Sequence, residues 1–217
     1  MSARDAILTR IRRAVGEGDV ATRTARLTDP HARAPVPAVA RSAGAERLEQ
    51  FQAKVRATDG TISRIAGPAD LPRALAEELR ARNLPATVRM GSDPVLAAAF
   101  AQGDAGLEIS HGPGRLVEPV TVSRAHLATA ETGTLLLASG PENPVTLTFL
   151  GETHFVLLDA SDVVGGYEEM WARWRATGLD PRTVNLVTGP SRSADIGQKL
   201  QLGAHGPVAL HVFLTGA

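Results

Sequence analysis

The sequence predicts a single-domain α/β sandwich built around a largely parallel sheet. Three observations support this. From residue 60 onward, short β-branched and apolar runs alternate with stretches of helical period ten to fifteen residues long, the pattern of strand–helix–strand crossovers. The 217 residues suffice for one sizeable core without metal or disulfide staples, and cysteine is absent. No stretch approaches the roughly 18 consecutive apolar residues of a spanning helix.

The elements follow in order. Ser2 is placed to cap a helix running to about Val15, with Ile7, Leu8, Ile11 and Val15 on one stripe. From Gly16 to Gly44 the chain turns to Thr, Ala, Arg and Pro, and Pro30, Pro35 and Pro37 prevent regular helix. Residues 1–44 therefore read as a helix plus a Pro/Thr/Ala-rich arm, and 45–217 as the α/β domain. In a homo-oligomer the arm could reach a neighbouring subunit; it could equally lie on its own. A helix over 45–58 carries Leu48, Phe51 and Val55. Then come strand "GTISRIAG", helix "ADLPRALAEELRARN", strand "ATVRMG", helix "DPVLAAAFAQ" and strand "AGLEIS". The second half supplies strand "TGTLLLAS", a further apolar run "VTLTFL", strand "HFVLLDA", and a helix over 161–177 with Tyr167, Met170, Trp171 and Trp174 as a core stripe. Strands "TVNLVTG" and "PVALHVFLTG" close the chain.

Composition narrows the partners. The 23 basic and 23 acidic residues cancel, so no global positive field draws nucleic acid or an anionic membrane surface. With no cysteine the chain cannot hold an iron–sulfur cluster or Cys-ligated zinc on its own thiolates. The opening residues lack the apolar core of a signal peptide, so the expected location is the cytoplasm, without membrane insertion.

Three polar, glycine-bearing segments fall at strand ends, where open α/β sheets collect ligand-binding groups: "ATAETGT" (128–134), "LGETHF" (150–155) and "TGPSRSADIGQKLQLGAHGP" (188–207). In the last, Gly189-Pro190 breaks a strand. Ser191 or Ser193 can cap a following helix, whose free N–H groups, joined by Arg192, suit a phosphate or carboxylate. The same residues are also consistent with a plain cap and a surface ion pair. Candidate ligand-binding residues are Thr132, Gly133, Thr134, Gly189, Pro190, Ser191, Arg192, Ser193, Asp195, Gly203 and Gly206. Glu131 could be a base or a nucleophile, or could shape its turn; His154 and His205 are candidate acid–base groups. The histidines lack metal-ligand spacing, so no metal is expected. A Ser191–His205–Asp195 triad lacks the G-x-S-x-G elbow that would present the serine.

Taken together, "ARDAILTRIRRAV", "AETGTLLLAS" and "TGPSRSADIGQKLQLGAHGPVALHVFLTG" resemble the LUD-domain proteins, the lactate-utilization protein C group in particular, over nearly the whole chain and in the same order. The resemblance implies a fold like the NagB/RpiA/CoA-transferase group. It also implies a role in oxidising L-lactate to pyruvate beside iron–sulfur partner subunits, with this chain as the component that binds no cofactor of its own. Two positions depart from the family pattern: Gly197 stands where an acidic residue is usual, and the proline ahead of His154 is missing. The expected function is a non-redox component of a lactate-oxidising complex that binds a small carboxylate or phosphorylated ligand at the glycine-rich loops. The alternatives are a stand-alone acyl- or CoA-transferase using Glu131, which needs Glu131, Arg192 and His205 in one pocket, and a metabolite-sensing regulatory protein.

Overall fold

The computed structural model describes residues 2–15, 19–21, 24, 36–101, 105–116, 118–193, 201–203 and 205–216. They fall into two compact units, Met1–Val36 and Pro37–Ala217. In the first, helix α1 (Ala3–Val15) starts with a reciprocal cap: the Asp5 amide donates to Ser2 Oγ at 3.2 Å, and the Ser2 amide donates to Asp5 Oδ2 at 3.1 Å. The prolines at 30 and 35 lie outside the described residues.

The second unit holds the α/β fold. Helix α2 (Gly44–Ala57) leads to strand β1 (Thr61–Arg64), helix α3 (Leu71–Ala81), strand β2 (Thr87–Met90), helix α4 (Pro94–Ala101) and strand β3 (Glu108–His111). Strands β4 (Glu118–Arg124), β5 (Leu127–Thr129) and β6 (Thr134–Ala138) follow, then helix α5 (Val145–Leu150) and strand β7 (Gly151–Asp159). The chain continues through β8 (Val163–Val164), helix α6 (Tyr167–Ala176), β9 (Val184–Val187), the short strands β10 (Arg192–Ser193) and β11 (Gln201–Leu202), and β12 (Ala209–Thr215).

Six strands form an all-parallel sheet in the order β1-β12-β7-β4-β2-β3. A second, mixed sheet runs β8-β5-β6-β9, with β6 antiparallel to both β5 and β9. The α/β sandwich with a parallel sheet is thus the observed fold.

The period of two along β7 sorts the core into layers. Phe155 and Leu157 join Leu71, Leu75 and Leu79 of α3 and Leu96 of α4 on one face. Val156 and Leu158 on the other meet Leu135 and Leu137 of β6, together with Phe51 and Val55 of α2. The outer face of the second sheet is closed by Met170 and Trp174 of α6 against Leu127, Leu136 and Val164. The expected core role of the α6 stripe therefore holds for Met170 and Trp174, whereas Tyr167 sends its hydroxyl into a polar network described below.

Two sequence expectations are corrected. "VTLTFL", read as a further apolar run among strands, forms the short helix α5. Pro144 precedes it, and the buried Leu147 anchors it through its carbonyl, which accepts from Thr121 Oγ1 at 2.8 Å. The helix proposed from residue 161 begins only at Tyr167, because Ala160–Asp162 make a 3₁₀ turn and Val163–Val164 pair with β5. The structure also adds strands that the sequence does not predict: β4, β5 and the two-residue strands β8, β10 and β11. β4 lies between β7 and β2 in the sheet. No helix among the described residues is long and apolar enough to cross a membrane.

Close approach fixes one turn. Gly133 has φ +73°, and a Cβ there would lie 2.8 Å from the Val55 amide nitrogen, so only glycine lets the β5–β6 turn rest on α2. Gly133→Ala is expected to lower stability by more than about 1 kcal/mol. Urea unfolding should show a reduced midpoint with an unchanged slope.

Candidate functional site

The segments 128–134 and 188–193 meet at one edge of the second sheet. Thr134 opens β6, Thr188 follows β9, and their hydroxyls are 2.6 Å apart, with Thr134 fully buried. Thr132 Oγ1 lies 2.6 Å from Thr134 Oγ1 and donates to the Tyr167 hydroxyl at 3.1 Å; Thr134 Oγ1 is 2.9 Å from that same hydroxyl. Thr129 Oγ1, 3.3 Å from Thr132 Oγ1, extends the chain of hydroxyls. Each hydroxyl is both donor and acceptor, so such a network can reorient to serve an oxygen-rich ligand while keeping its buried members satisfied. Tyr167 and Thr188 join the network without a motif to mark them. Their signal was faint: a tyrosine inside an aromatic stripe, and a threonine ending a strand.

Glu131 sits in the same turn but faces elsewhere. Its amide donates to the Gly165 carbonyl at 3.0 Å, and its carboxylate packs so closely on Gly166 that a Cβ there would be 2.9 Å from Oε2. Arg192 pairs with Asp59, just beyond the end of α2, and Gly189 (φ +75°) packs on Thr58. Pro190 follows Gly189 into the hairpin.

Ser191 leads into the short strand Arg192–Ser193. The Ser191 amide donates to the Pro207 carbonyl at 2.8 Å, and Arg192–Ser193 pair antiparallel with Gln201–Leu202. These bonds close a small hairpin in which Ser191 leads into a strand and caps no helix; the residues that Ser193 would cap, from 194 on, lie outside the described residues. Asp195 and Gly197, with the rest of 194–200, lie outside the described residues.

A pocket of about 720 Å³ opens beside this hairpin, lined by Glu118, Phe149, Gly151, Glu152, Gly203, His205, Gly206 and Val208, among others. The Gly203 amide donates to the Ser191 carbonyl at 3.1 Å and the His205 amide to Ser191 Oγ at 3.4 Å, which ties the rim to the hairpin. "LGETHF" opens β7 and the 188–207 segment precedes β12, so the pocket stands at the amino ends of these parallel strands. Glu118 is 3.9 Å from Arg89. Neither Glu131 nor Arg192 lines this pocket, so the structure does not gather Glu131, Arg192 and His205 around it.

His154 lies deeper in the same strand. It is fully buried, its Nε2 is 3.0 Å from Ser123 Oγ, and its Nδ1 has no partner. Burial pushes its pKa down to about 3. His211 lies in no motif, yet it too is buried, on the opposite face of the sheet. Its Nδ1 accepts from Arg82 at 3.0 Å and lies 2.7 Å from Thr61 Oγ1, while its Nε2 meets Ser63 Oγ at 2.9 Å. Burial lowers its pKa to about 4, with Glu78 opposing and Arg82 assisting.

Both histidines are neutral in the fold and must charge when the chain unfolds in mild acid. The unfolded state binds more protons, so stability is full above pH ~6.5 and falls as pH drops toward the folded values. Each should remove about 1.4 kcal/mol per pH unit below ~6.5, down to about pH 4 for His211 and about pH 3 for His154. Thermal melts from pH 7.5 to 4.5 should fall steeply, and His211→Gln should flatten the curve.

The family model described as "LUD domain" matches residues 119–215. An uncharacterized protein of Neisseria meningitidis serogroup B is 40% identical over 87 residues, 39% of this chain and 37% of that protein. Lactate utilization protein C of Geobacillus kaustophilus is 34% identical over 101 residues, 44% of this chain and 42% of that protein. The chain thus spans about two fifths of the length of these relatives. A solved structure of a DUF162 family protein from Deinococcus radiodurans matches with a TM-score of 0.60 at 19% identity, covering 79% of this chain and 98% of that one, and shows the shared fold. Residues 119–215 of this chain are thus similar to the LUD domain.

Proposed function

We propose that the chain serves lactate utilization as a component without iron–sulfur clusters of its own, and that it binds a small carboxylate at the amino-end pocket. The observation that carries this is the kinship with proteins named lactate utilization protein C, together with a LUD segment that supplies most of the pocket's wall, from Phe149 to Val208. Electrons leaving lactate need an acceptor. A chain with no cysteine would depend on cluster-bearing partner subunits for it.

In this reading His205 supplies the ligand's hydrogen-bond partner, with the 203–206 backbone shaping the rim. Glu152, an exposed residue of the same lining, repels an anion and biases its orientation. A phosphorylated ligand fits the same chemistry. The transferase reading has less support, since Glu131 lies against Gly166 and Arg192 against Asp59. A sensor role would use the same pocket without the partners.

Deleting the gene should abolish or strongly slow growth on L-lactate as sole carbon source, and the chain should co-purify with iron–sulfur proteins from lactate-grown cells. Normal growth together with no association would sink the proposal. In calorimetry, His205→Ala should weaken lactate or pyruvate binding about tenfold, while Glu152→Gln should tighten it two- to threefold, roughly the worth of one solvent-exposed charge.

A further inference from the structure

The opposite end of the parallel sheet carries a second constellation that none of the motifs above touches. The chain runs from β2 outward to β3, then returns to lay β4 on the other side of β2. The carboxyl ends of β2 and β4 are therefore the point where strand order reverses, the crevice in which open α/β sheets place ligands.

The groups there are built in. Asp93, 4% exposed, follows β2; its Oδ1 accepts the Val95 and Leu96 amides at the start of α4. Its Oδ2 accepts from Arg124 Nε at 2.9 Å. That bond holds the guanidinium by one edge, and the two terminal nitrogens of Arg124 make no hydrogen bond among the described residues. Two positions after Arg124, beyond β4, the His126 ring stands edge-on to Trp174 with centroids 5.6 Å apart. This pair is the shared wall of two cavities. One, about 440 Å³, is also lined by Ser92, Gly140 and Asn143; the other, about 350 Å³, is also lined by Arg124 and by Asp162 and Arg173, which pair with each other at 3.1 Å.

Two buried polar atoms beside the larger cavity lack partners: His126 Nδ1, and Oδ1 of Asn143, a residue only 4% exposed whose Nδ2 donates to the Ala138 carbonyl at 3.2 Å. An orphaned buried acceptor calls for a donor. Burial, aided by Arg124, lowers the pKa of His126, so its ring is neutral and offers one donor and one acceptor nitrogen.

We infer that this crevice binds a mononucleotide, with the base in the cavity bounded by His126, Trp174 and Asn143 and the phosphate on Arg124 in the adjoining one. A planar, N–H-bearing base supplies the donor Asn143 lacks and an apolar face for the aromatic wall. The free guanidinium edge fits a phosphate oxygen pair. This site is independent of the carboxylate pocket, which lies at the other end of the strands.

Calorimetry on the full chain tests it with AMP, GMP, UMP and CMP, and with the matching nucleoside and inorganic phosphate as separate arms. At least one mononucleotide should bind one per chain, with its nucleoside and phosphate each at least tenfold weaker. Gly140 lines the larger cavity, and a Cβ there meets nothing within 4 Å; Gly140→Leu should fold and weaken the nucleotide at least tenfold. Arg124→Gln should reduce the nucleotide to the level of its nucleoside and leave the nucleoside unchanged. Removing that arginine strands the buried Asp93, so if the variant does not fold, Gly140→Leu carries the test. The inference is overturned if no mononucleotide saturates, if phosphate binds as tightly as the nucleotide, or if Gly140→Leu leaves binding unchanged. Loss of nucleotide binding in His205→Ala would also overturn it, since the ligand would then belong to the carboxylate pocket.

Discussion

Burial of β7 on both faces is the constraint from which the rest of the structure follows. Phe155 and Leu157 must be covered by α3 and α4, and Val156 and Leu158 by a second layer, here the mixed sheet and α2. A parallel sheet with one bare face would leave such side chains in water, at a cost of about 25 cal/mol per Å² of apolar surface. The mixed sheet is therefore needed to complete the fold. Its other face must in turn be closed, and Met170 and Trp174 of α6 close it.

That sandwich dictates where polar residues can work. Side chains in mid-strand, such as His154 and His211, are sealed in and held neutral, which suits them to hold neighbouring strands rather than to meet a solvent-borne ligand. Groups that can reach a ligand lie where strands stop: His205 at the amino ends of β7 and β12, Arg124 and His126 at the carboxyl end of β4, and the threonines at the edge of β6. The two ends of the parallel sheet are electrostatically unlike. One offers Glu118, Glu152 and His205; the other an arginine oriented by a buried aspartate.

Much of the fold could be read from periodicity. The α3, β2, α4 and β3 sequence was legible because amphipathic helices and short β-branched runs differ in period and are separated by clear breaks. β4 escaped, although Val120 and Val122 alternate with Thr121 and Ser123. Its polar positions are as buried as its apolar ones, and Ser123 is used to hold His154. α5 misled because six residues alternating threonine and apolar side chains satisfy either period, and only the packing of Leu147 against β4 decides the matter. Within the candidate site, Thr132 and Thr134 were visible as polar residues at a strand start. Tyr167 was hidden, because one helical stripe supplies both the core contacts of Trp174 and the hydroxyl that meets the threonines.

By itself the sequence determined the α/β class, the likeness to the LUD-domain proteins and the lack of any cysteine thiolate. These depend on local period, on residue order within motifs and on composition, all of which survive without coordinates. Tertiary structure alone decided that the segments 150–155 and 203–206 meet at the amino ends of the parallel strands, that Glu131 turns toward Gly166 while His205 borders a pocket, and that Asp93 and Arg124 meet across 31 positions of chain. Which residues face one another depends on strand order and register, and those are set by the burial of whole sheet faces rather than by any stretch of sequence alone.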